Sequence, residues 1–263
     1  MEFDSRASGR WPSIVAIVLA ATGGARLERS LASVAWARER IVLDPAARLG
    51  GRELPPGVRH VACAAPVEEL GSTDWLLLLL EGETATPGLA AGLARRLDDA
   101  AGPRAFGVPV EMHGLGTRWT PRRAPVRLAA RAAAELVVHD GRAELAAAGA
   151  GLGEAGAALV EEAPASLEDA VRALDAESAA LAAWVGAGDL RVRVGHLLLP
   201  PLVTAARVLT ARGSSTRPWA RWVAAVFAGY RTLLVPAKVW ELRQLAGVGP
   251  GPGADAAGTR AGA

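Results

Sequence analysis

Cysteine is almost missing from this chain: Cys63 stands alone in 263 residues. That excludes an intrachain disulfide and any cysteine-rich zinc site, and it fits a reducing compartment. Aromatic residues are also scarce, 5% of a chain that is 51% hydrophobic, so alanine, leucine and valine carry the apolar content of a globular, helix-rich protein. No apolar run is long enough to cross a bilayer; the longest candidate, Gly195 to Leu209, is broken by Pro200, Pro201 and Arg207. Met1 to Arg10 mixes acids and bases ahead of an apolar run of only about seven residues, which does not make a signal peptide. Strong charge is lacking too. A net charge of +2 and a pI near 9.3, mostly from arginine, give no footprint for nucleic acid. Nucleophile-elbow, Ser-x-x-Lys, Walker and dinucleotide glycine patterns are absent from any supporting context.

What is present is a set of short, deeply apolar runs ending in polar tips. Leu76 to Leu80 is five leucines in a row, too short for a membrane span and suited to a strand buried on both faces of a sheet. It runs directly into Glu81-Gly82-Glu83, which puts two carboxylates at the C-terminal end of a strand, where open α/β sheets bind ligands. Such a pair either holds a divalent cation or serves as loop and cap residues. Ile14 to Leu19 reads as a first strand ended by Thr22-Gly23-Gly24, which either cradles a phosphate or simply turns the chain. Leu27, Leu31 and Val34 then mark a helix to about Ala37. Ile41-Val42-Leu43 is a second strand tipped by Asp44, and Val58 to Ala62 a third. Thr86-Pro87 caps and opens a helix carrying Leu89, Leu93 and Leu97. Strand and helix alternate, which predicts an α/β fold around an open, mainly parallel, doubly wound sheet.

Beyond Phe106 the pattern loosens. Arginines recur at 118, 122, 123, 127 and 131, and Gly141 to Gly156 is too rich in alanine and glycine to predict an element. Ser166 with Asp169 in capping-box position opens a helix striped by Leu167, Val171, Leu174, Leu181 and Val185. The other histidines, His60, His113 and His196, lack metal-ligand spacing. In the segment 217–240, at about 100° per residue, Arg217, Arg221, Arg231 and Lys238 share one arc. Trp219, Trp222, Val226, Phe227, Tyr230, Leu234 and Trp240 fill the opposite one. A two-faced helix of this kind either lies on a membrane, its aromatics below anionic headgroups, or packs on the core with a solvated arginine face. From Gly247 on, glycine, alanine and proline predict a disordered tail.

In shared order, these residues resemble the family 2 glycosyltransferases of the GT-A fold. They are the Thr22 helix with its Leu-x-x-x-Leu-x-Ser-Val spacing, Ile41-Val42-Leu43-Asp44, and Asp74-Trp75 through Glu81-Gly82-Glu83-Thr84 and Thr86-Pro87. The subgroup that includes lipopolysaccharide core glucosyltransferases is the most similar. Phe106 to Pro109, Gly116-Thr117-Arg118, Pro125 to Leu128 and Val137-Val138-His139-Asp140 resemble its later motifs, and the likeness spans roughly residues 13 to 245.

The resemblance implies a division into a flexible N-terminus (1–12), a nucleotide-sugar domain (13–160), a C-terminal helical, membrane-associating region (161–245) and a tail (246–263). It implies a nucleotide-sugar donor bound by Thr22, Asp44, Glu81, Arg118 and Arg127. Glu81 and Glu83 would stand where the family has Asp-x-Asp, holding a Mg or Mn ion on the diphosphate. Asp140, beside His139, would take the acceptor proton in an inverting transfer. The acceptor would be a lipid-linked or cell-envelope saccharide, and the location the cytoplasm, peripheral on the inner face of the cell membrane. Glutamates in place of aspartates and the sequence Pro45-Ala46-Ala47-Arg48 after Asp44 depart from the family. They open the alternative of a catalytically degenerate, membrane-associated binding protein.

Overall fold

The structure is a computed structural model describing residues 13–61, 73–97, 103–114, 117–120, 124–139, 142–147, 152–162, 166–186, 194–210 and 218–247. It has a mixed α/β fold centred on a seven-stranded, mostly parallel sheet. β1 (Ile14–Leu19) lies between β2 (Glu39–Leu43) and β4 (Trp75–Leu80), parallel to both, and β3 (Val58–Val61) extends the sheet beyond β2. On the other side β9 (Val126–Ala130) runs antiparallel to β4 and to β6 (Ala105–Gly107), and β12 (Leu152–Glu154) pairs parallel with β6 at the edge. The five leucines of β4 are fully or almost fully buried, as a strand covered on both faces requires.

Side-chain alternation along these strands feeds two separate cores. Ala16, Val18, Leu77 and Leu79 point to the side covered by α1 (Ala25–Ser33) and α2 (Pro87–Leu97), through Leu27, Leu31, Leu89 and Leu93. Val15, Ile17, Leu76 and Leu78 point to the other. That side is covered by a hairpin of β10 (Ala134–His139) and β11 (Arg142–Ala147), with Leu181 of α3 (Leu167–Gly186) and Val235 of α5 (Pro218–Gly247). The C-terminal helices are therefore part of the core. A smaller sheet of β5 (Glu83–Ala85), β13 (Leu159–Glu162), β7 (Val110–Gly114) and β8 (Thr117–Trp119) adjoins β4 through the Glu81-Gly82 turn.

Several local expectations are met with small differences. α1 stops at Ser33, short of Ala37, because side chains take over its last carbonyls: the Ser33 hydroxyl donates to Ser30 O (2.7 Å) and the Trp36 indole to Ser33 O (3.0 Å). Pro87 opens α2, but the Thr86 hydroxyl donates to Ala158 O (2.8 Å) instead of capping. At α3 the capping residue behaves as anticipated, with Asp169 N donating to Ser166 Oγ at 3.0 Å. Of its stripe, Leu174 and Leu181 are buried while Leu167 and Val171 are exposed. α4 (Val194–Thr210) runs through Pro200 and Pro201 and packs closely on α5; a Cβ at Gly229 would lie 3.0 Å from Pro201 O. Among the described residues, no helix is long and apolar enough to cross a membrane. The N-terminus, the 63–72 connection and the tail from 248 lie outside the described residues.

Candidate functional site

The register of the parallel strands brings three strand tips to one level, two of them acidic. Leu19 is opposite both Leu43 and Leu80, and the residues that follow them are Ala20, Asp44 and Glu81. Ala20 N donates to Leu43 O (2.9 Å) and Glu81 N to Leu19 O (3.0 Å), so the ladder continues one step past the strands. The first three strands build the sheet to one side of β1 and β4 adds to the other. The topological switch point therefore falls between β1 and β4, and the Thr22 turn and Glu81 flank it.

All three acids face the protein. Glu81 Oε2 accepts the backbone N–H groups of Ala21 (2.6 Å), Thr22 (2.8 Å) and Gly23 (3.0 Å), and Oε1 accepts the hydroxyl of Thr22. One carboxylate thus organises the whole turn between β1 and α1. The left-handed backbone at Gly23 and Gly24 (φ 74° and 81°) lets those amides converge. Asp44, almost fully buried, does the same for its own loop, accepting Arg48 N (3.0 Å) and Leu49 N (2.8 Å), with His60 Nε2 at 3.5 Å from Oδ2.

Glu83 is enclosed. It begins β5, where pairing with β13 sets it opposite Glu161, so the second acid of the triplet sits in a strand and not in a free loop. The extra methylene of glutamate lets Oε2 reach back to Leu80 N (2.8 Å), while Oε1 accepts from Arg127 Nη2 at 2.6 Å. Both side chains are 0% exposed. Arg127 also donates through Nη1 to Ala143 O (2.5 Å), and its Nε has no hydrogen-bond partner. A residue expected to contact the donor is instead the buried counterion of a residue expected to hold the metal.

The β4–β5 turn depends on Ser33, part of the helix motif, and on Ser30 and Arg26, which the sequence did not single out. Ser30, fully buried on α1, accepts Gly82 N at 3.0 Å, and Ser33 accepts Ala85 N at 2.9 Å. Gly82 has φ 95°, and any Cβ there would overlap the guanidinium of Arg26, which lies across the turn with Nη2 3.4 Å from Glu81 O. From the other side, Arg52 Nη1 would lie 3.4 Å from a Cβ on Gly23, and its Nη2 pairs with Glu28 at 3.0 Å. No spacing rule links Arg26 or Ser30 to Gly82; their contacts form only when α1 packs beside β5.

Arg118 lies in β8 and pairs by backbone with His113 of β7. His139 ends β10 opposite Arg142, and Asp140 falls outside the described residues. Among the described residues, no group of three His, Cys, Asp or Glu side chains comes together as a metal would need.

The C-terminal helix packs on the core, but without the solvated arginine face expected of such packing. Two residues of its basic arc point inward: Arg231, 14% exposed, pairs with Glu177 of α3 (3.1 Å) and lies 3.8 Å from Glu161 of β13, and Lys238 pairs with Asp175 (2.7 Å). Its aromatic arc points outward. Trp219, Trp222, Val226, Tyr230 and Trp240 are exposed, and on α4 so are Leu198, Leu199 and Leu202.

No protein-family model matches the chain, and no curated protein matches it. Among solved structures, the crystal structure of S. aureus TarS 1–349 is similar with a TM-score of 0.38 and 10% sequence identity, over 88% of this chain and 91% of that one.

Proposed function

We propose that this chain is a glycosyltransferase that binds a nucleotide-activated sugar across the C-terminal edge of its sheet and passes the sugar to a lipid-linked or cell-envelope saccharide. The observation that carries the reading is the level placement of the Thr22 turn, Asp44 and Glu81 around the switch point between β1 and β4, where open α/β sheets take their ligands. The motif order that resembles the family 2 glycosyltransferases points to the same edge. In the transfer, Asp140 takes the acceptor hydroxyl proton, assisted by His139. The freed oxygen bonds to the anomeric carbon, and the bond to the diphosphate breaks to release the nucleoside diphosphate. Arg118, in β8, belongs to the donor or acceptor side of this reading. The exposed aromatic and leucine side chains of α4 and α5 serve a peripheral contact with the inner face of the cell membrane, where such an acceptor resides.

A second reading is favoured by one specific observation, the engagement of Asp44, Glu81 and Glu83 by the chain itself. On that reading the protein binds a nucleotide without turning it over. Both are tested by titrating the full chain with UDP, GDP, ADP and CDP and then incubating it with the matching nucleotide sugars and a bacterial lipid extract. The transferase reading expects one base to bind, diphosphate to be released, and Asp140→Asn to abolish release while leaving binding intact. Binding without release selects the second reading, and no binding by any nucleotide removes both.

A further inference from the structure

The acids that the resemblance assigns to a divalent cation do not fit one. A hard cation needs several open oxygen ligands placed within tenths of an ångström. Here three backbone amides converge on Glu81 Oε2 at 2.6–3.0 Å, and the Thr22 hydroxyl donates to its Oε1. Glu83 is sealed from solvent with Leu80 N on one oxygen and Arg127 on the other. A cation bridging the pair would have to unmake the β1–α1 turn and either expel a buried guanidinium or bring two positive charges close to it in a low-dielectric interior.

We infer that this edge works without a divalent cation, with the guanidinium of Arg127 as its resident positive charge in the metal's place. The inference rests on the proposed nucleotide site, and it deepens that site by assigning the diphosphate's charge to side chains. Arg127 neutralises Glu83 inside the protein, so of the three acids at this edge the most deeply enclosed carries no net charge with its partner, while Glu81 and Asp44 are held by backbone amides. At the rim, Arg26 lies over the Glu81-Gly82 turn and Arg52 beside the Thr22-Gly23-Gly24 turn, so two guanidinium groups flank the loop where phosphates would lie. Guanidinium forks suit phosphate oxygens and need no co-ligand.

The test separates this inference from the proposed function. The free-ion electron paramagnetic resonance signal of Mn²⁺ is measured with and without the full chain, and thermal shift is then recorded with UDP, GDP, ADP and CDP in EDTA and in Mn²⁺. The expected result is a Mn²⁺ signal unchanged by protein, and a nucleotide-induced shift equal in EDTA and Mn²⁺ that Arg26→Ala reduces. Mn²⁺ captured by wild type and released by Glu83→Gln, or a nucleotide shift that vanishes in EDTA, overturns the inference while leaving the proposed function standing. An undiminished Mn²⁺ signal with no response to any nucleotide does the reverse: the edge is metal-free, and the proposed function is lost. Because Arg127→Met alone could unfold the chain, the paired variant Glu83→Gln/Arg127→Met is measured as well. It must still leave Mn²⁺ free, and capture of the ion by that neutral pair also counts against the inference.

Discussion

The strand tips and the C-terminal helix both hide their charges, but by different means. At the sheet edge the acids are held mainly by backbone amides, which the local fold delivers whatever the neighbouring side chains are: five of them reach Glu81 and Asp44. On α5 the basic arc is held by side chains of α3 and β13, through pairs that remain partly in solvent. The first arrangement is rigid and expensive to disturb, because each lost acceptor strands a buried donor. The second is adjustable, since partly exposed ion pairs contribute little individually. The edge is thus fixed before any ligand arrives, whereas the ion pairs of the helix add little to the hold that buried Ala225, Val235 and Val239 give it.

The sharpest way to break this contrast is Arg127→Ala. It leaves Glu83 charged and buried without its guanidinium, and should lower the unfolding free energy by about 3–5 kcal/mol in urea titration. Glu83→Gln/Arg127→Met removes both charges and should recover most of that loss. An Arg127→Ala protein as stable as wild type would mean that Glu83 reaches solvent, and the edge would be open after all. Glu81→Ala comes next. Stranding the amides of Ala21, Thr22 and Gly23 should cost on the order of 3 kcal/mol and speed hydrogen exchange at those three positions selectively. Asp44→Ala frees two amides, Arg48 N and Leu49 N, and removes the neighbour of His60, and a loss of about 1–2 kcal/mol is expected by the same titration.

The sequence showed the rails of this fold better than their working ends. Ile14–Leu19 and Leu76–Leu80 are apolar on every residue, so both their strand character and their burial could be read directly. The β10–β11 hairpin could not, because Ala143, Ala146 and Ala147 have little intrinsic preference for a strand. They adopt one because Ala143 and Leu145 cover the sheet face left open by α1 and α2. The acid triplet was visible as a cluster, yet its direction was not: Arg127 lies 44 residues beyond Glu83, and no periodicity connects them. The same holds for α5. Helical spacing separates its two arcs but is silent on which one meets the core, and that choice was made by Glu177 and Asp175 on a helix far earlier in the chain.

The smaller effects lie on that helix. Arg231→Met removes a pair whose members are each more than 10% exposed, and should cost only about 1 kcal/mol by urea titration. A larger loss would place α5 among the rigid parts of the molecule.

Substitution of the outward arc should hardly touch stability at all. Trp222 and Val226 are 62% and 61% exposed, so Trp222→Ser/Val226→Ser is expected to change the unfolding free energy by no more than about 0.5 kcal/mol. Its effect should appear instead in co-sedimentation with vesicles of phosphatidylglycerol and phosphatidylethanolamine, with a drop in partitioning of roughly tenfold. The inward pairing of Arg231 and Lys238 adds a second condition. A helix that docked through a basic face would detach as salt rises, because headgroup attraction is screened within about 8–10 Å at physiological ionic strength. With those charges already matched by Glu177 and Asp175, partitioning should depend on the aromatic side chains and little on salt. Vesicle binding that falls steeply with salt, and is untouched by the double substitution, would show that α5 meets the membrane through its basic arc and that the orientation described for it does not persist there.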